Sequence, residues 1–171
     1  LHFSASVVRG STMRVPSSET WTMPSIYFED FAVGRVFELG SVTVTEESII
    51  EFATQFDPQS FHVDPEAAVD SSFGGLIASG WQTGSLWMRL YADALLIDAD
   101  SRGSQGIEEV RWRAPVRPDD TLTGTTTVVY AQPSSKDPTR GTVFIESAMT
   151  NQDGVVVMTM KSRGMFGRRA A

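Results

Sequence analysis

The sequence predicts an α+β fold, with one long helix wrapped by a curved antiparallel sheet. Three observations predict it. Apolar residues recur at helical spacing ahead of Asp57, an apolar segment of helix length follows from Gly80, and the remainder is a run of strand-like segments separated by turn signals. At 171 residues the chain can bury a substantial core as one domain, and it has no cysteine with which to staple a smaller one.

Residues 1–22 read as a polar leader, because Arg9, Arg14 and several Ser and Thr residues interrupt any apolar stretch of the kind a signal peptide needs. Met13 and Met23 are candidate native starts, and residues 23–171 are expected to form the single domain. Ile26 to Phe31 leads through Val33-Gly34 into a short strand within Val36 to Val44. A helix then starts at Thr45, a good cap. Glu46 and Glu47 complement the positive end of its dipole, and Ile49, Ile50, Phe52, Ala53 and Phe56 share one face. Asp57-Pro58 stops it, because a residue before proline avoids helical angles.

Asp64 caps and Pro65 opens a shorter helix through Val69, which ends before Phe73-Gly74-Gly75. From Gly80 to about Leu96 the chain is helical in length and apolar on nearly every face, with Arg89 and Asp93 as an i,i+4 pair on the remaining one. Such a helix has to be enclosed, and Trp81, Trp87 and Tyr91 are assigned to its core contacts. Strands over 105–117, 121–132, 141–150 and 155–166 supply the enclosure. Their connections are Arg117 to Asp120, Pro133 to Arg140 and Asn151 to Gly154, the last carrying an Asp-Gly hairpin signal.

The net charge of −7 argues against a nucleic-acid surface, which needs a basic stripe. No apolar run approaches the roughly 18 residues that span a bilayer, so a soluble, cytoplasmic protein is expected. His2 and His62 are the only histidines, which leaves too few nitrogen and sulfur ligands for a zinc enzyme; neither a metal nor a cofactor is expected.

Asp57 and His62, five residues apart after the first long helix, are the candidate chemical centre. Carboxylate and imidazole together can move a proton to and from water near neutral pH. Spacing alone makes this a weak motif, with a merely structural loop histidine as the alternative.

The surrounding residues add specificity. Asp57 to His62, Phe73-Gly74-Gly75-Leu76-Ile77-Ala78-Ser79-Gly80 and Arg111-Trp112-Arg113-Ala114-Pro115-Val116-Arg117-Pro118-Asp119-Asp120-Thr121-Leu122 resemble the MaoC-like dehydratases, a family that includes the (R)-specific enoyl-CoA hydratases. The resemblance covers about residues 27–166 and implies the hotdog fold, an acyl-CoA thioester as substrate, and a homodimer or higher assembly. The family signature runs Asp-x-Asn-Pro-aliphatic-His, whereas Gln59, Ser60 and Phe61 precede His62 here. Met88 stands where some hydratases carry a water-holding hydroxyl, and Gln82, Thr83 and Ser85 are the nearby polar groups that could substitute.

The function implied is a hydro-lyase that adds water to, or removes it from, a 2-enoyl/3-hydroxyacyl thioester. Asp57 and His62 act jointly on the water and on the C2 proton. The Gly80 N–H, at the first turn of the long helix, is the expected oxyanion donor, with Ser79 as the cap beside it; the alternative for Gly80 is close packing, together with Gly84, against the sheet. A hotdog thioesterase using Asp57 alone, or a non-catalytic acyl-CoA-binding subunit, are the competing readings. Lys161, Arg163, Arg168 and Arg169 read as a solvated end or, alternatively, as contacts to CoA phosphates.

Overall fold

The computed structural model describes residues 23–170; the expected leader, residues 1–22, lies outside the described residues. A single 3-10 turn, Phe28–Asp30, precedes strand β1 (Val36–Thr43). Helices α1 (Glu46–Phe56), α2 (Ser60–Val63), α3 (Pro65–Val69) and α4 (Gly80–Ala94) follow. Strands β2 (Gly106–Trp112), β3 (Thr121–Pro133), β4 (Arg140–Thr150) and β5 (Val156–Gly167) complete the fold. The strands form one antiparallel sheet in the order β1-β3-β4-β5-β2.

Each helix boundary has a local cause. Thr45 accepts from the Ser48 N–H while Ser48 returns a bond to the Thr45 N–H, a reciprocal cap with Ser48 in the role usually held by Glu. Asp64 accepts from the N–H groups of Glu66 and Ala67, and Pro65 occupies the first turn of α3. Arg89 and Asp93 pair at 2.8 Å one turn apart on α4. Gly154 takes φ +76° in the β4–β5 hairpin, a conformation that glycine adopts without steric cost.

The sheet alternates. Leu122, Thr126 and Val128 of β3, Val143, Ile145, Ser147 and Met149 of β4, and Met158 and Met160 of β5 are buried on the helix side. Within that layer Thr126 and Ser147 satisfy each other at 2.9 Å, so neither hydroxyl is left unpaired. Every strand pair carries one register shift, and such bulges bend and twist strands, which curls the sheet around α4.

The enclosure of α4 departs from expectation. Trp87 and Tyr91 are buried and stacked at 5.0 Å, but Trp81 is 61 % exposed and Met88 44 % exposed. Trp81, Ser85 and Met88 recur at helical spacing, so the chain covers α4 on the sheet side and leaves one stripe open. Trp81 is therefore not a core residue in the isolated chain. His62 also sits in the one-turn helix α2 rather than in an open loop.

Candidate active site

Asp57 is the residue at which α1 ends. Its N–H still donates to the Ala53 carbonyl, but Pro58 prevents another turn and the backbone leaves the helix at φ −155°. The chain recloses at once into α2, where the His62 N–H donates to the Gln59 carbonyl. Leu76, Ile77, Ala78 and Ser79 then form a buried extended segment held on both sides. Ile77 donates its N–H to the Phe61 carbonyl, and Ala78 donates to the Val116 carbonyl. This segment brings three stretches distant in sequence, 57–62, 76–80 and 112–116, to one place.

His62 is fixed by its ring. Nδ1 lies 2.7 Å from the Ile77 carbonyl, which can only accept, so Nδ1 carries the proton. In the neutral imidazole Nε2 is then the bare nitrogen, and it lies 3.4 Å from Asp57 Oδ2. The His62 side chain is 6 % exposed and that of Asp57 21 %.

Two side chains hold Asp57. Ser79 Oγ donates to Oδ2 at 2.7 Å and Gln59 Nε2 donates to Oδ1 at 2.8 Å. Ser79, fully buried, also accepts from the Trp81 N–H at 3.2 Å, so one hydroxyl both caps α4 and bonds the carboxylate. The Ser79 hydrogen bond, aided by Gln59 and by the nearby imidazole, outweighs burial and holds the Asp57 carboxyl below its usual range. Gln59 thus places an amide on the carboxylate at one of the positions where the family signature differs.

A cleft of about 380 Å³ opens in front of this network. His62, Gly80 and Thr83 line it together with apolar groups from Phe61, Phe73 and Val116. Asp57 is not among the residues that line the cleft, although its side chain is the more accessible of the pair. Gly80 is the first residue of α4, and a Cβ built there would come within 2.3 Å of the Trp112 indole. Close packing and an open first-turn N–H therefore coexist at Gly80, whereas a Cβ at Gly84 would meet nothing within 4 Å.

The other polar residues of α4 separate clearly. Gln82 Nε2 donates to the Ser48 carbonyl, and Ser85 Oγ donates back to the Trp81 carbonyl at the surface. Of Gln82, Thr83 and Ser85, Thr83 is the one on the cleft wall. The basic C-terminal residues are occupied elsewhere: Lys161 pairs with Glu146, Arg163 with Glu108, Arg168 with Glu29 and Arg169 with Asp30. The cleft has a cation of its own in Arg113, which sequence reasoning passed over; the signal was its place two residues before Pro115 in the third motif. Among the described residues no cluster of three or more histidine or acidic side chains could hold a metal ion.

The family model for the MaoC like domain matches residues 30–148, which span the helices, the Asp57–His62 network and most of the sheet. The chain belongs to the MaoC-like dehydratase family. The crystal structure of a MaoC-like dehydratase from Rhodospirillum rubrum superposes with a TM-score of 0.76 at 40 % identity, covering 86 % of this chain and all of the other. The uncharacterized protein YdeM of Bacillus subtilis is 34 % identical over 109 residues, 64 % of this chain and 77 % of YdeM. The 3-hydroxyacyl-thioester dehydratase Z of Mycobacterium tuberculosis is 32 % identical over 104 residues, 60 % of this chain and 69 % of that protein. The sheet curled around α4 is the hotdog fold, as the three sequence motifs implied. Among the described residues no helix is long and apolar enough to cross a membrane.

Proposed function

We propose that this MaoC-like protein is a hydro-lyase that interconverts a 2-enoyl thioester and its 3-hydroxyacyl hydrate. The observation that carries the reading is the pinned imidazole: with Nδ1 committed to the Ile77 carbonyl, the proton-accepting Nε2 belongs to a ring on the cleft wall, backed by an ionised carboxylate.

In the hydration direction His62 Nε2 takes a proton from water as the oxygen bonds to C3. Electron density moves through C2 to the thioester oxygen, where the Gly80 N–H at the helix N-terminus receives it. The imidazolium, stabilised by Asp57, then returns the proton to C2, and the enzyme regains its starting state. Asp57 thereby acts through His62. The apolar cleft wall suits an enoyl chain. Arg113 donates Nε to Thr159 Oγ1 and forms no ion pair within 4 Å among the described residues, so its charge is available to a phosphate-bearing carrier such as CoA. We assign the open stripe of Trp81 and Met88 to contact with a second copy of the chain, which a mass measurement in solution checks.

The test follows loss of enoyl absorbance and release of free thiol in parallel, on trans-2-enoyl-CoA substrates of several lengths. Loss of absorbance without thiol, abolished by Asp57→Asn, is the expected result. Thiol release would instead establish a thioesterase that uses the same first-turn N–H. Silence in both channels, with CoA thioester still bound, would make the protein a binding subunit.

A further inference from the structure

Thr83 is 2 % exposed, and its hydroxyl makes no hydrogen bond with any described residue while keeping a sliver of access. Buried hydroxyls are ordinarily paired, because leaving one unpaired costs about 1–3 kcal/mol of desolvation. Several buried hydroxyls around α4 and beneath it follow that rule: Ser79 bonds Asp57, and Thr126 bonds Ser147. Tyr91, on the same helix, is buried without a hydrogen bond to its hydroxyl among the described residues, but it does not line the cleft. Many helical Ser and Thr side chains satisfy themselves on the preceding turn, as Thr54 does on the Ile50 carbonyl and Ser85 on the Trp81 carbonyl. Thr83 does not. The cleft it lines with His62 and Gly80 is where a partner can reach it.

Its position on the helix says which partner. Helical side chains lean toward the N-terminus and cover the turn before their own Cα, so Thr83 lies over Gly80, three residues earlier. Gly80 has no side chain to intervene. A hydroxyl and a first-turn N–H therefore belong to adjacent turns of one helix on the wall of the cleft that His62 also lines. Ser79 cannot serve there, since its one proton is committed to Asp57 at 2.7 Å.

We propose that the Thr83 hydroxyl is the second donor to the thioester carbonyl oxygen, acting beside the Gly80 N–H. This rests on the reading of the cleft as a thioester site. An oxyanion that develops in a cleft with apolar walls gains far more from two aimed donors than from one, and the two come from a single rigid helix. Thr83 donates only its proton, and no bond to it forms or breaks.

The experiment compares wild type with Thr83→Val, which keeps the shape and removes the hydroxyl, and with Thr83→Ser, which restores it. One readout is turnover of a trans-2-enoyl-CoA. The other is the absorption band of bound cinnamoyl-CoA, which moves to longer wavelength as its carbonyl is polarised. Thr83→Val is expected to lower kcat by about 10²-fold with a smaller change in KM, and to lose part of the band shift; Thr83→Ser recovers both. Thr83→Ala replaces the valine variant if thermal melts show that valine disturbs the fold. A band shift and kcat that survive removal of the hydroxyl overturn the assignment. A wild type that shifts the band without hydrating the enoyl thioester overturns the hydro-lyase reading and leaves Thr83 in place. A wild type that fails to bind either thioester, or binds it without shifting the band, overturns the Thr83 assignment.

Discussion

Two carboxylate networks tie distant parts of this chain together, and they differ chiefly in what surrounds them. Beside the cleft, Asp57 is bonded by Ser79, which has no exposed surface, and faces a His62 side chain that is 6 % exposed. At the far end of the sheet, Glu29 and Asp30 hold Arg168 and Arg169, all between about a quarter and a half exposed. Hydrogen-bond lengths are similar in the two places. Water competes for every atom of the second network and for few of the first, so equal geometry carries unequal consequence.

The largest expected effect comes from Asp57→Asn. The amide presents an N–H toward His62 Nε2 or else leaves an imidazolium without its counter-charge, and either outcome removes the proton acceptor. Turnover is expected to fall by about 10²- to 10⁴-fold, with folding retained in a circular dichroism melt.

Ser79→Ala sharpens the comparison, because it removes the most buried donor and leaves the carboxylate. Asp57 then loses the strongest influence holding its pKa down, so that pKa rises toward the ordinary aspartate range. Titration of the Asp57 carboxyl, followed by carboxyl carbon NMR, is expected at higher pH than in wild type, while Ser79→Thr holds the wild-type titration. Stability follows the same sign. Wild-type Asp57 contributes stability that is complete above the ordinary range, near about 4, and is lost as pH falls through its lower folded value. The alanine variant also loses the α4 cap, a further cost of about 1 kcal/mol at all pH values.

Gln59→Ala removes an exposed donor from the same carboxylate. Solvent can replace the amide at Oδ1, which it cannot readily do at Oδ2 beneath Ser79. The Asp57 titration is expected to move in the same direction as in Ser79→Ala but by less. A shift equal to that of Ser79→Ala would show that exposure is not what separates the two donors.

Much of this was legible in the sequence because it is local. Thr45, Asp64, Pro65 and the Asp153-Gly154 turn fix their elements through chemistry within a few residues, and period-2 runs place the four strands of the second half within a few residues of where they lie. The three motifs brought the family and the hotdog fold with them. What escaped was relational. Nothing in the residue Trp81 distinguishes it from Trp87, yet one is exposed and the other buried, because the sheet reaches only one side of α4. Ser79 was read as a cap, and its second bond spans 22 residues to Asp57. Arg168 and Arg169 looked like free cations until the fold returned the chain end to Glu29 and Asp30.

Glu29→Gln gives the smallest effect and tests the other half of the comparison. Glu29 accepts from Arg168 Nε at 3.1 Å and from the Arg169 N–H at 3.2 Å, contacts that close nearly the whole length of the chain. Exposed pairs of this kind contribute about 0–1 kcal/mol, because solvent screens the charges and long side chains lose freedom when they are held. The substitution keeps the shape and an acceptor oxygen, so a melting-point change of no more than about 4 °C is expected, with turnover unaltered. The small difference from wild type is expected to shrink in high salt, and to vanish as pH falls below the ordinary glutamate range and through the lower folded value, where Glu29 becomes neutral like its replacement. A large, salt-independent loss would place this rim among the structural determinants of the fold and remove burial as the variable that separates the two networks.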